Sequence, residues 1–355
     1  MSRAGGPRVQ IGDRSVGDGC PPFIVAEVGL NHNVDLDRAL QMVSVAKEAG
    51  ADAVKFQAFK AAEFLSDPKL TYTYRSQGRE VTESMLGMFR RCELPDDAWG
   101  RIKQRCDAAG IVFLSTPQNR SDLDLLLQVG VPAIKVGSDD FTNLPLLKDF
   151  ASTRLPMLVS CGMSDLSEVR QALHAIGTLE GYPTVLLLCT SEYPTPPQDV
   201  NLLKLRTLRR EFPGVPLGFS DHTQGPLAAS VAVAYEACLF EKHFTLDRNL
   251  PGPDHWFSED PAGLGEWVAS IRKAHAMLGS PIVEPTCAEA QMRSLARRSI
   301  VALRDIPKGE TLDERNIGLR RPGGGLPPAS MGSLLGRTAT RAIRRGARIG
   351  EGDYH

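Results

Sequence analysis

Between residues 22 and 280 the chain alternates short apolar runs of strand type with longer amphipathic stretches, and the alternation recurs about eight times. The runs are Phe23 to Val28, Ala53 to Gln57, Val112 to Ser115, Ala133 to Val136, Met157 to Ser160, Val185 to Cys189, Pro216 to Phe219 and Cys238 to Glu241. Helical patterns separate them, such as Leu36 to Ala49, opened by Asp35 or Asp37 as a cap, and Asp96 to Ala109, closed by Gly110. A strand and a helix repeated eight times predict an α/β chain whose parallel strands close into a (β/α)8 barrel. A doubly wound open sheet is the rival, and it fits less well because polar residues follow nearly every run. That is the pattern expected when every strand end faces one site.

After Gly279 the character changes: Ser280 to Cys287 holds two prolines, Ala288 to Arg298 reads as a helical or linking stretch, and the rest is basic with short strands. The expected division is a barrel over 1–282, a linker over 283–296 and a small β-rich domain over 297–355. Two similar units occur in that last part, Asp305-Ile-Pro-Lys-Gly-Glu-Thr-Leu and Ala342-Ile-Arg-Arg-Gly-Ala-Arg-Ile, each an apolar residue and a basic turn between short strands. Between them Arg320-Arg321-Pro322-Gly323-Gly324-Gly325 reads as a flexible loop carrying two guanidinium groups. Such a loop is costly to order unless something binds it, which makes it a candidate lid.

Charge narrows the function. Lysine and arginine number 41 against 42 aspartates and glutamates, a net charge of -1, so no global field draws nucleic acid or an anionic membrane, and any anion site must be local. The C-terminal arginines (Arg337, Arg341, Arg344, Arg345, Arg348) lack interleaved aromatics and read as a solvated face or a contact between subunits. No apolar stretch approaches the roughly twenty residues of a membrane span, and the amino terminus lacks the apolar run of a secretory signal, so a cytoplasmic protein is expected. The seven cysteines are scattered singly and read as reduced core residues.

Two segments carry chemistry on their face. Gly218-Phe-Ser-Asp-His-Thr223 and Glu241-Lys-His-Phe-Thr245 each end an apolar run and place a histidine at the tip. On consecutive strand ends, His222 and His243 could hold one divalent metal with positions left open for water and substrate. Either histidine alone is more often a hydrogen-bonded structural group. Asp139, Asp221 and Glu241 are expected to pair with lysines such as Lys242 or to orient the histidines. Ser115, Ser164 and Ser167 read as helix caps, His32 as part of a turn behind Glu27, His255 as a solvated loop residue, and His174, His275 and His355 as surface positions.

The segments VAEVGLNHN (25–33), ADAVKFQ (51–57), FLSTP (113–117), IKVGSDD (134–140), VSCGMS (159–164), CTSEYPTP (189–196), GFSDHT (218–223), EKHFTLDR (241–248) and PGPD (251–254), in this order, resemble the sialic acid synthase family. The basic tail resembles its antifreeze-like (SAF) domain, and RRPGGG stands where the family has an Arg-Pro-Gly loop. The resemblance implies condensation of phosphoenolpyruvate with an open-chain N-acylated hexosamine, N-acetylmannosamine or a 2,4-diacetamido-trideoxyhexose, to a nine-carbon 2-keto acid and phosphate. It implies Mn2+ or Mg2+ on His222 and His243, to polarise the sugar aldehyde; imidazole suits manganese better. It implies Glu27 and Asp254 as carboxylates at the sugar end. Lys55 and Lys135, with Thr116, Ser138, Ser160 and Ser220, would hold the phosphate and carboxylate. Gln57, Asp140, Tyr193 and Arg321 resemble sugar-side positions, Arg321 reaching from the small domain, and a domain-swapped homodimer is the implied assembly.

This chain departs from the family pattern at Asp139-Asp140, where Gly-Glu is common, at Ser191, where asparagine is common, and over Leu65 to Glu80, which is expected to shape the sugar pocket. Two other readings stay open. Lys135 could form a Schiff base in a pyruvate-type aldolase, or the chain could be a carbohydrate-binding protein without catalysis.

Overall fold

A strand places alternate side chains on opposite faces, so a closed barrel sorts each strand into an inner and an outer set. The computed structural model describes residues 5–355; residues 1–4, which fall within the expected barrel domain and the amino-terminal stretch, lie outside the described residues. In chain order the strands are β1 (Arg8–Ile11), β2 (Arg14–Gly17), β3 (Phe23–Gly29), β4 (Ala53–Ala58), β5 (Thr71–Ser76), β6 (Arg79–Ser84), β7 (Val112–Pro117), β8 (Ile134–Val136), β9 (Met157–Ser160), β10 (Thr184–Cys189), β11 (Leu217–Asp221), β12 (Ala237–His243), β13 (Ser299–Ala302) and β14 (Ile317–Arg320). The helices are α1 (Leu36–Glu48), α2 (Ala61–Phe64), α3 (Met85–Arg90), α4 (Asp96–Ala109), α5 (Arg120–Val129), α6 (Leu144–Ala151), α7 (Leu166–Ile176), α8 (Leu203–Glu211), α9 (Leu227–Ala234), α10 (Pro261–Leu278), α11 (Cys287–Ala296) and α12 (Met331–Leu334).

The chain splits into two compact units, residues 1–280 and 281–355. In the first, the parallel order β10-β11-β12-β3-β4-β7-β8-β9 closes into a barrel, so the open-sheet rival is excluded. Outer-face residues such as Ile24, Phe56, Phe113, Val159 and Phe240 pack under the helices in one large apolar layer. Inner-face residues form a second, smaller one: Phe23, Val25, Ala53, Leu114, Leu158, Val185, Leu187 and Leu239. Gly218 belongs to that crowded interior, since a Cβ there would come within 2.9 Å of both Leu187 and the Leu239 carbonyl.

The antiparallel hairpin β1–β2, absent from the sequence reading, adds Val9, Ile11 and Val16 to this inner cluster. A second unexpected hairpin, β5–β6, fills the segment after β4. Its residues TYTYRS and REVTES are mostly polar on both faces, so it shows no hydrophobic period. Local signals elsewhere read true. Asp35 caps α1, accepting from the Arg38 backbone N–H, and Gly110 ends α4 in the left-handed region at φ 64°. The expected serine caps do not form: Asp165 caps α7, and Ser115 is buried in β7, its hydroxyl donating to the Phe56 carbonyl at 3.2 Å.

The second unit has its own core of Ile300, Ala302, Ile306, Leu312, Ile317, Leu334, Ala339, Ile343 and Ile349. Its two similar sequence units pair with each other, Ile306 and Ile343 exchanging backbone hydrogen bonds at 2.8 Å. The Arg-Pro-Gly loop is tied at its main chain: the Ser299 hydroxyl donates to the Pro322 carbonyl at 2.7 Å and the Gly323 N–H to Ser294 at 2.9 Å. These two bonds fix the backbone at Pro322 and Gly323, which lowers the cost of ordering the loop. Among the described residues no helix is long and apolar enough to cross a membrane.

Candidate active site

Following each strand inward to its carboxyl end, the apolar inner set gives way to a polar one. Val25 is followed on the same face by Glu27, Ala53 by Lys55 and Gln57, Leu114 by Thr116, and Ala133 by Lys135. Leu158 is followed by Ser160, Leu187 by Cys189, and Leu239 by Glu241 and His243. The period of two does this without any loop, and it converges these side chains at one end of the barrel.

The centre is a buried charge cluster. Lys55 Nζ lies 2.8 Å from Glu27 Oε2 and 3.7 Å from Glu241 Oε2, and donates to the Thr116 hydroxyl at 3.1 Å. Lys135 Nζ donates to the Ser160 hydroxyl at 2.8 Å and to its neighbour's carbonyl, Val136 O, at 3.0 Å; it lies 3.7 Å from Glu241 Oε1. Ser220 donates to the same Glu241 oxygen at 3.0 Å. Glu241 is therefore the hub of two lysines, a role that no reading of its sequence neighbours reached. Strand parity was the available signal: Glu241 shares a face with His243, whereas Lys242, its expected partner, points outward.

Burial acts differently on each member of this cluster. It raises the Glu27 carboxyl, reinforced by the Glu241 charge and only partly offset by Lys55. It works against Glu241 too, but Lys135 and Lys55 outweigh it and hold that carboxyl below its usual value. Lys135 is lowered by burial, while for Lys55 the charges of Glu241 and Glu27 overcome burial and raise it. Two cations so placed, with three hydroxyls beside them, form a local receptor for a compact anion.

Beside the cluster stand the two imidazoles, with ring centroids 5.5 Å apart. His222 Nδ1 is 2.8 Å from the Thr190 carbonyl, which requires a proton on Nδ1, so Nε2 is the nitrogen that carries the lone pair whenever the ring is neutral. Cys189 Sγ also approaches that ring nitrogen, at 3.8 Å. His243 is driven well below the usual histidine value, first by burial and then by the neighbouring His222 charge, so its ring is neutral. Its Nδ1 is buried without a hydrogen-bond partner, 3.9 Å from Asp254 Oδ2. A neutral buried imidazole with an unpartnered nitrogen, facing a second whose tautomer is fixed, fits a divalent cation of the imidazole-binding kind. Among the described residues no group of three or more histidine, cysteine, aspartate or glutamate side chains could hold a metal ion by itself.

On the other side Glu27, Gln57 and Asp254 converge around Gly29, whose φ is 51°. A Cβ there would meet Glu27 Oε1 at 3.2 Å, Gln57 Nε2 at 3.3 Å and Asp254 Oδ2 at 3.7 Å. Gln57 donates to Glu27 at 3.0 Å. Burial, then the Glu27 charge, raises Asp254 to about 7. Tyr193 packs on the His222 ring at 4.2 Å and on Phe257 at 5.2 Å, forming one wall. Ser138 and Ser191 converge on Gly162, where a Cβ would lie 2.7 Å and 2.6 Å from their hydroxyls.

Other residues singled out in the sequence have surroundings of their own. The Asp140 carboxylate accepts from Asn143 Nδ2 at 3.0 Å, and the charge of the neighbouring Asp139 acts on Lys55 and Tyr193. Arg321 is exposed in the second unit. His255, read as solvated, is buried between the Thr245 hydroxyl, 2.7 Å from Nδ1, and Asn33 Oδ1, 3.2 Å from Nε2. The β5–β6 hairpin reaches this region through Ser76, which accepts from Gly252 N–H at 3.1 Å, and Arg75, stacked 5.6 Å over Trp256.

The NeuB family model matches residues 42–283 and the SAF domain model residues 297–353. An N,N'-diacetyllegionaminic acid synthase of Legionella pneumophila is 40% identical over 332 residues, 92% of this chain and 93% of that one. The human N-acetylneuraminate-9-phosphate synthase is 34% identical, over 91% and 90% of the two chains. Among solved structures, an N-acetylneuraminic acid synthetase from Leptospira borgpetersenii, crystallised with citrate, superposes with a TM-score of 0.72 at 31% identity, over 81% of this chain and 95% of that one.

Proposed function

The chain belongs to the NeuB family and carries a SAF domain, and from that premise we propose that it joins phosphoenolpyruvate, an open-chain N-acylated hexosamine and water into a nine-carbon 2-keto acid, releasing inorganic phosphate. The observation that carries the reading is the juxtaposition of an anion receptor (Lys55, Lys135, Thr116, Ser160 and Ser220) with two imidazoles and a Glu27–Gln57–Asp254 cluster. Phosphoenolpyruvate is a compact trianion, and a protein of net charge -1 attracts it only through such a concentration. An acceptor with acetamido groups at C2 and C4 has the first claim, since the Legionella relative makes the diacetylated product.

In the reaction C3 of the enol bonds to the aldehyde carbon, the aldehyde oxygen takes a proton, water adds at C2, and the C2–O–phosphate bond breaks. Lys55 and Lys135 hold the phosphate and carboxylate, and Ser138 contributes a further hydroxyl. His222 and His243 would hold Mn2+ or Mg2+, which supplies Lewis acidity at the aldehyde when bound. Glu27 and Asp254 bind sugar oxygens and move protons at the sugar end, with Gln57 orienting Glu27. Tyr193 walls the sugar pocket, and Asp140 and Arg321 are assigned to the acyl-sugar side, Arg321 in a domain-swapped homodimer. A cytoplasmic enzyme matches substrates made inside the cell.

Phosphate release tests this. Phosphoenolpyruvate and Mn2+ are incubated with a 2,4-diacetamido-2,4,6-trideoxyhexose, with N-acetylmannosamine, or with no sugar. Release that needs both a sugar and the metal is expected, fastest with the diacetamido sugar; sugar-independent release or none sinks the reading. Burial lowers Lys135, as in Schiff-base lysines, which keeps the aldolase as a second reading. Borohydride with pyruvate would then trap an adduct on Lys135, and the synthase reading expects none.

A further inference from the structure

Asp221 and Lys242 alternate out of the barrel, between the inward residues Ser220 and His222 and between Glu241 and His243. Both are buried in the layer beneath the helices, where Phe219 and Phe240 on the same strands are apolar. Charges in such a layer cost more desolvation than an apolar pair of similar volume would, so stability alone is a weak reason for them.

Their hydrogen bonds are complete and directional. Asp221 Oδ1 accepts from the Thr223 N–H at 2.9 Å and its hydroxyl at 2.7 Å, closing a turn with His222 at its middle. Asp221 Oδ2 accepts from Lys242 Nζ at 3.1 Å and from Trp267 Nε1 at 2.9 Å. Lys242 Nζ also donates to the Thr223 carbonyl at 2.5 Å, lies 3.8 Å from Glu259 Oε1 and sits 5.9 Å above the Trp267 ring. Glu259 Oε1 accepts from Gly225 N–H at 3.0 Å, its other oxygen pairs with Arg248 at 2.5 Å, and its backbone N–H donates to the His243 carbonyl at 2.9 Å. The network thus grips the backbone on the far side of His222, the residue just before His243, and the carbonyl of His243 itself.

We infer that Asp221 and Lys242, with Trp267 and Glu259, form a positioning network that sets the separation of the His222 and His243 imidazoles from outside the barrel. Asp221 and Lys242 point away from the barrel interior, where the anion receptor lies. The inference rests on the proposed metal role of the two histidines. It predicts a split: loosening the network weakens metal binding and leaves the phosphoenolpyruvate receptor alone, because Lys55, Lys135 and Glu241 point inward and are held by other bonds.

The experiment measures Mn2+ binding by the free-ion electron paramagnetic resonance signal, without substrates, and phosphoenolpyruvate binding by calorimetry without metal. Wild type is compared with Lys242→Met, Trp267→Phe and His222→Ala. Lys242→Met is expected to weaken Mn2+ about tenfold, as loss of an outer partner of metal-binding histidines does. Trp267→Phe, which removes one donor and keeps an aromatic ring, is expected to weaken it several-fold, and both should hold phosphoenolpyruvate like wild type. A folded variant with wild-type Mn2+ affinity, or one losing both ligands in parallel, overturns the inference. If Lys242→Met does not fold, Trp267→Phe decides alone. If His222→Ala binds Mn2+ as tightly as wild type, the metal reading itself falls, whatever Lys242 does.

Discussion

The two ends of the same barrel differ in what their inner faces cost. At the amino-terminal end Val25, Ala53, Leu158, Leu187 and Leu239, with Val9, Ile11 and Val16 from the β1–β2 hairpin, fill the interior with side chains that only pack. One or two residues further along the same strands, Glu27, Lys55, Lys135 and Glu241 bury four ionisable groups within a few ångströms of one another. The first end stabilises the fold; the second is held in place by it, at a desolvation cost that only partner charges and ligands offset. One end can therefore be changed without the other, and that separation can be tested.

The largest effect belongs to the charged end. Lys135→Met removes a cation from the anion receptor, and phosphate release is expected to fall by about 10²–10³-fold, or about 3–4 kcal/mol of barrier. The protein should stay folded, because the desolvation of the buried lysine is relieved and Lys55 still faces Glu241, although Glu241 loses one of its two cations. A variant that keeps its rate, or loses rate only by unfolding, breaks the comparison.

The mirror experiment is Leu239→Ala at the packed end. Leu239 is fully buried, so the change should destabilise the protein by about 2–5 kcal/mol in urea unfolding. The KM for phosphoenolpyruvate should stay as in wild type.

Acid should attack the polar end first. His32 and His255 are both held down to about 4, mainly by burial. His32 Nδ1 accepts from the Val34 N–H at 3.0 Å, so protonating it also breaks a bond. A histidine lowered in the folded state stabilises above its unfolded value near 6.5 and loses that contribution as pH falls toward 4. For His32 the loss is on the order of 3 kcal/mol. His32→Gln should flatten the fall in urea midpoint between pH 6.5 and 4; an unchanged slope would place the acid sensitivity elsewhere.

The smallest effect tests the second unit. Arg321→Ala is expected to raise the sugar KM several-fold, about 1 kcal/mol, with kcat little changed, since the anion receptor and both imidazoles lie on the barrel strands. Light scattering of the same variant reports whether the chain is the expected homodimer.

Taken alone, the amino-acid sequence determined the barrel, its eight strands to within about two residues, and the separate C-terminal unit. These follow from local causes: period-two runs, caps such as Asp35 and Gly110, and side chains at strand ends. What tertiary structure decided was partnership. Whether Glu241 faces Lys242 or the two lysines 55 and 135 is set by which way β12 turns in the closed sheet. That the Asp139 charge acts on Lys55, or that His255 is buried beside Asn33, depends on segments far apart in the chain. Hydrophobic period and capping are properties of neighbouring residues, whereas a buried charge is defined by what surrounds it, and only the closed barrel assembles those surroundings.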